Sequence, residues 1–171
     1  MYLIFDTETT GLPQNWKAPL TDFSNWPRCV QLAWQTHDKE GKLIDVKNYI
    51  IKPEDYDIPY NAEKIHGIST DLALKKGVAL ENVLDEFIKD VNKSDFIIGH
   101  NISFDNNIIG CELLRKGMDN LLSDFPCIDT KDASTNYCAL PGGRGGKFKW
   151  PNLTELHVKL FGENFQEAHN A

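Results

Sequence analysis

The chain has 171 residues, with 18 Lys and Arg against 25 Asp and Glu, for a formal net charge of −7. This length suits one domain with its own core. Nine Phe, five Tyr and four Trp exclude a disordered chain, and the acidic balance excludes a broad basic face for duplex nucleic acid, although bound cations can supply positive charge locally.

Residues 2–6 form a short apolar run that ends at an acid, which predicts a buried strand with polar residues at its C-terminal end. Residues 29–37 alternate in part and predict a second strand. Residues 43–51 predict a third, with Glu40 and Gly41 in the turn between them. These three strands read as an antiparallel meander. The segment 13–28, carrying Trp16, Trp26 and Pro27, is longer than a tight hairpin needs.

Leu80, Val83, Leu84, Phe87, Ile88 and Val91 recur at helical spacing and predict an amphipathic helix. Residues 96–100 read as a fourth strand, and 103–116 as a helix with Gly117 as its stop and Ser103 as a candidate cap. Residues 127–130 give a short fifth strand. Residues 152–161 give a further helix, with Asn152 as N-cap, Leu153, Leu156 and Leu160 on one face, and Gly162 at the end. A meander followed by strands alternating with helices predicts one α/β domain over residues 1–171, built on a mixed sheet.

The four cysteines, at 29, 111, 127 and 138, contain no C-x-x-C pair and so no zinc knuckle. Cys111 and Cys127 read as small core residues. The N-terminus has no basic segment of the export type, and no apolar run reaches the roughly 18 residues of a membrane span; a cytoplasmic location with reduced thiols is expected. Residues 141–151 hold Arg144, Lys147 and Lys149 with Phe148 and Trp150 and no acid. Two readings stand for this loop: a solvated glycine-rich connection, or a basic arm that touches a nucleic-acid backbone.

Asp6 and Glu8 are the sharpest local feature. In extended backbone, residues i and i+2 share a face, so two carboxylates aim at one place. Like charges held together call for a cation, and a hard divalent ion with oxygen ligands fits. The Asp6-x-Glu8 start resembles a calcium loop, but the twelfth position would be Lys17, which excludes one. Asp105 follows the fourth strand in the first turn of the next helix, where the dipole favours an acid and where it could join Asp6 and Glu8 in a three-carboxylate cluster.

Together, Phe5-Asp6-Thr7-Glu8-Thr9-Thr10-Gly11-Leu12, the segment Ile65-His66-Gly67-Ile68-Ser69, and Gly99-His100-Asn101-Ile102-Ser103-Phe104-Asp105 resemble the motifs of the DEDDh 3′–5′ exonucleases. That group contains the proofreading epsilon subunit of bacterial DNA polymerase III. The third motif, H-x-A-x-x-D, is visible only as His169-Asn170-Ala171; its final acid would fall at position 174, beyond Ala171. The sequence is therefore expected to stop inside that motif and, as it stands, to be impaired by one missing ligand.

The resemblance implies a ribonuclease H-like, five-stranded mixed sheet with helices on both faces. It implies two divalent ions, Mg2+ or Mn2+, held by Asp6, Glu8 and Asp105, with His169 as general base. It implies hydrolysis of terminal phosphodiesters of single-stranded or frayed DNA to nucleoside 5′-monophosphates, in proofreading or repair. The backbone around Thr7 and Thr9 would meet the terminal 3′-hydroxyl. Leu12 and Phe104 would wedge or stack bases, Ala62, Ile65 and His66 would flank the terminal nucleotide, and Asn101 would contact phosphate or brace the site. A DNA polymerase is an implied partner. Two alternatives stay open: an RNA exonuclease of the oligoribonuclease or RNase T type, and a non-catalytic nucleic-acid- or polymerase-binding module.

Overall fold

A computed structural model describes residues 1–163. His169 lies outside the described residues. Five strands form one sheet: β1 (Tyr2–Thr9), β2 (Cys29–His37), β3 (Leu43–Ile50), β4 (Phe96–Gly99) and β5 (Cys127–Asp129). Their spatial order is β3-β2-β1-β4-β5, with β1 antiparallel to β2 and parallel to β4. The helices are α1 (Tyr60–His66), α2 (Thr70–Lys76), α3 (Leu80–Val91), α4 (Ile102–Arg115), α5 (Thr130–Cys138) and α6 (Leu153–Phe161).

Alternation in β1 sends Leu3, Phe5 and Thr7 inward on one face, and Asp6 and Glu8 to the other. Leu32 and Trp34 of β2, paired with Thr7 and Phe5, continue the inward face. The apolar stripe of α3 packs onto it, with the Phe87 ring 5.1 Å from Phe5 and 5.4 Å from Trp34. Ile108, Ile109, Cys111 and Leu113 bring α4 into the same core. A smaller core joins Val30 and Ile58 to Ala62, Ile68 and Ala73 of α1 and α2.

A buried ionic knot helps hold the fold. Glu112 of α4 is fully buried. It accepts from the Cys29 N–H at 2.8 Å and the Arg28 Nε at 3.0 Å, with an Arg115 guanidinium nitrogen at 3.1 Å. A buried carboxylate survives only when paired and hydrogen-bonded in this way. Arg115 also donates to the Phe23 and Trp26 carbonyls at 2.7 Å. Segment 13–28 is thereby fastened to α4 rather than free: Trp26 is buried, and Asn15 and Asn25 bond to each other twice.

Several expectations change. β1 does not end at Asp6 but runs through both acids to Thr9. The reason is pairing: β2 accompanies β1 to Thr9, whereas β4 pairs only with Tyr2–Ile4. Ser103 does not cap α4; Asn101 holds that position at φ +69 without a side-chain capping bond. Asn tolerates this left-handed backbone better than most residues. Cys127 is exposed, not core, because β5 is the edge strand, whereas Cys111 is buried. Helices α1, α2 and α5 have too few apolar residues at helical spacing to be read from the sequence. Asn152 caps α6 with a reciprocal bond from Glu155, and Gly162 closes it at φ +78, both as expected. Among the described residues, no helix is long and apolar enough to cross a membrane.

Candidate active site

The site lies where β1 outruns β4. The open end of a parallel pair is where α/β sheets place their ligands. Gly99 ends β4 against β1, and a Cβ there would sit 3.3 Å from the Phe5 carbonyl and 3.1 Å from Ile102. The chain then turns through His100 and Asn101 into α4. This brings Asp105, 4% exposed, beside Thr7.

The Thr7 hydroxyl donates to Asp105 Oδ1 at 2.6 Å, and its N–H donates to the same oxygen at 3.1 Å. Burial pushes the Asp105 carboxyl up to about 8, with the charge of Asp6 adding to the rise and the Thr7 bonds opposing it. Glu8 rises to about 7, again by burial first and Asp6 second. Asp6 is thus the common neighbour of both acids. Asp6 is exposed and Glu8 half-buried, on the face opposite Thr7.

The donors match a divalent ion in kind: hard carboxylate oxygens whose mutual repulsion a cation would relieve. They do not close into the expected three-acid cluster. Among the described residues, no three His, Cys, Asp or Glu side chains stand close enough to hold one ion. The physical reason is that Asp105 is turned onto Thr7.

The surrounding residues divide. Thr9 donates its hydroxyl to the Gly11 carbonyl at 2.7 Å, shaping the turn that leaves Leu12 71% exposed. Phe104 is half-buried, and its ring lies 5.7 Å from that of exposed Trp16. His66 accepts from the Ile68 N–H through Nδ1, so Nε2 carries the proton. It faces the Thr9 backbone without completing a full hydrogen bond, and burial lowers the imidazole below its ordinary value. This places the end of α1, with Ile65 exposed beside it, next to the end of β1. Ala62 is different: it is buried in the smaller core, which leaves it almost no surface to flank a nucleotide.

Asn101 is a brace. Its N–H donates to Asp129 Oδ1 at 2.9 Å, and its Oδ1 accepts from Lys131 Nζ at 2.7 Å. Asp129 also caps α5. His100 bonds Thr130 Oγ1 and the Pro151 carbonyl, both at 3.0 Å. His100 stands in the motif read from the sequence, whereas little in the local pattern marks the roles of Asp129, Thr130 and Lys131. The one available signal was Asp129 followed by Asp132, a capping pattern at the end of a short strand.

An α/β domain with acids at the end of its central strand serves many chemistries, and the family match decides among them. The sequence matches the Exonuclease family, RNase_T, over residues 3–171, and the chain belongs to that family. Relatives include the DNA polymerase III subunit epsilon of Rickettsia felis, 33% identical over 132 residues, covering 75% of this chain and 52% of that protein. The PolC-type DNA polymerase III of Pediococcus pentosaceus is 25% identical over 175 residues, covering 99% of this chain and 10% of that one. The chain thus spans about half the length of the epsilon relatives it matches. Among solved structures, E. coli Exonuclease I in complex with a dT13 oligonucleotide superposes with a TM-score of 0.76 at 24% identity, covering 99% of this chain and 37% of that one. This likeness confirms the ribonuclease H-like mixed sheet. Exonucleases of this family depend in general on divalent metal ions.

Proposed function

We propose that the protein is a metal-dependent 3′–5′ exonuclease acting on single-stranded or frayed DNA and releasing nucleoside 5′-monophosphates. The observation that carries this is the pair Asp6 and Glu8 on one face at the open end of β1, beside Asp105 held by Thr7, with the Asp6 charge adding to the rise of both other acids. That arrangement is costly in a bare protein and becomes favourable with cations and a phosphodiester.

In this reading Asp6 and Glu8 hold Mg2+ or Mn2+, with Asp105 oriented by Thr7 to support the same centre. Bound metal supplies a more acidic water and offsets the charge growing on phosphorus. The chain's own residues do the positioning. Backbone at Thr7 and Thr9 receives the terminal 3′-hydroxyl, Leu12 and Phe104 contact the last bases, and His66 and Ile65 border the terminal nucleotide. His169 is the general base of this proposal. The DNA complexes described for E. coli Exonuclease I support single-stranded DNA as substrate, and the epsilon relatives support a polymerase partner.

The test is a 5′-labelled single-stranded DNA incubated with the protein at its full natural length and Mg2+. A ladder shortening from the 3′ end, with 5′-monophosphates as products and no cutting after chelation, is expected. Internal cutting, or equal activity in chelator, would overturn the proposal. A matched RNA strand degraded faster than the DNA would move the substrate to RNA.

A further inference from the structure

The loop between α5 and α6 borders an open pocket of about 950 Å³. The reading above does not use it. Its wall joins Arg144, Lys147 and Lys149 to Phe148 and Trp150, and among the described residues no acid lines it, in a chain of net charge −7. Lys149 is engaged by Glu155 at 2.6 Å. Arg144 and Lys147 are exposed and form no ion pair among the described residues. Phe148 and Trp150 are 46% and 65% exposed, an expense in water unless something covers the rings.

The loop is shaped rather than slack. At Gly143 a Cβ would sit 2.3 Å from the Lys147 carbonyl and 2.4 Å from that of Phe148, so only glycine lets the loop fold back on itself. It is also tied to the site. Lys131 Nζ lies 4.5 Å over the Trp150 ring while bonding Asn101, and the Pro151 carbonyl meets His100. Both anchors belong to the turn that leads into Phe104 and Asp105.

We infer that this pocket is a second nucleic-acid subsite, which takes the single strand on the 5′ side of the nucleotide being removed. Arg144 and Lys147 meet its phosphates, and Trp150 and Phe148 stack its bases. Free cations beside exposed rings are the chemistry that holds a single strand without reading its sequence. A pocket of this size exceeds what one phosphate needs and suits a nucleotide with its neighbours. The inference rests on the nuclease reading and deepens it by placing the rest of the strand.

The experiment measures binding of a dT oligonucleotide of about 20 nucleotides and of the dinucleotide dTdT, with Ca2+ in place of Mg2+ to suppress cutting. The proteins are the wild type, Arg144→Glu/Lys147→Glu and Trp150→Ala. The long strand should weaken about tenfold in each variant, and the double variant should lose about 1.4 from the slope of log K against log salt. The ratio of long-strand to dinucleotide affinity should fall with it. Unchanged long-strand affinity and slope would overturn the subsite. Equal weakening of the dinucleotide would also overturn it, because the pocket would then hold the terminal nucleotide itself. Loop-dependent binding by the protein at its full natural length without 3′ degradation in Mg2+ would sink the nuclease reading and leave the loop as a single-strand binding site.

Discussion

Thr7 gives both its hydroxyl and its backbone N–H to one oxygen of Asp105, 98 residues away in sequence, at 2.6 and 3.1 Å. This pair sets the distance between the central strand and the helix that follows β4. It holds a buried carboxyl in place next to Asp6, although both burial and the Asp6 charge work against its ionisation.

Thr7→Val keeps the shape of the side chain and removes the hydroxyl. It should destabilise the protein by about 1–2 kcal/mol, since a buried acceptor loses one of its two donors. Urea unfolding measures this. A variant as stable as wild type would show that the backbone N–H alone suffices.

Asp6→Ala should reduce nuclease activity by on the order of 10²-fold or more while leaving the fold intact or firmer, because it removes the charge common to Glu8 and Asp105. Mg2+ should raise Tm in the wild type, by about 2.7 kcal/mol of stability at a hundred times its Kd, and not in Asp6→Ala. Undiminished turnover in the variant would sink the site assignment.

Glu112→Ala should cost about 3–5 kcal/mol, since Arg28, Arg115 and the Cys29 N–H lose their shared acceptor. Glu112→Gln, which keeps an acceptor, should recover part of the loss. Thermal denaturation of the two variants distinguishes a charge effect from a shape effect. Equal stability of Glu112→Ala and wild type would remove the knot from the account of the fold.

Asp90 should make the fold acid-sensitive. Burial alone would raise its pKa, but donors from Trp34, Lys47 and Lys93 outweigh that and hold it at about 2, below its ordinary 3.8. A depressed carboxyl contributes stability that is present above about 4 and is lost as pH falls through 2. The wild type should therefore lose stability across that window. Asp90→Asn should start lower at neutral pH and lose less on acidification. Parallel curves for the two proteins would exclude Asp90 as a source of the acid sensitivity.

Strands, the amphipathic helix at Leu80–Val91 and both ends of α6 were legible because each rests on local chemistry: alternation, helical spacing, a capping pair, a closing glycine. The short polar helices α1, α2 and α5 were not. Their stability comes from neighbours, such as Ala62 and Ala73 packing around Val30, which no local pattern announces. In the same way Cys127 looked like a core residue because its neighbours are apolar, and its exposure follows from β5 lying at the sheet edge.

By itself the sequence determined that Asp6 and Glu8 share a face, because strand alternation is a property of the backbone, and it determined the family through motifs in order. Only the tertiary structure decided what Asp105 does. The position of an acid on α4 relative to β1 depends on how Gly99 lets the turn approach Phe5 and on which donor Thr7 offers. Those are long-range packing facts. They placed Asp105 against Thr7 beside the Asp6 and Glu8 face, and made the glycine-rich loop a basic, aromatic pocket anchored at His100 and Asn101.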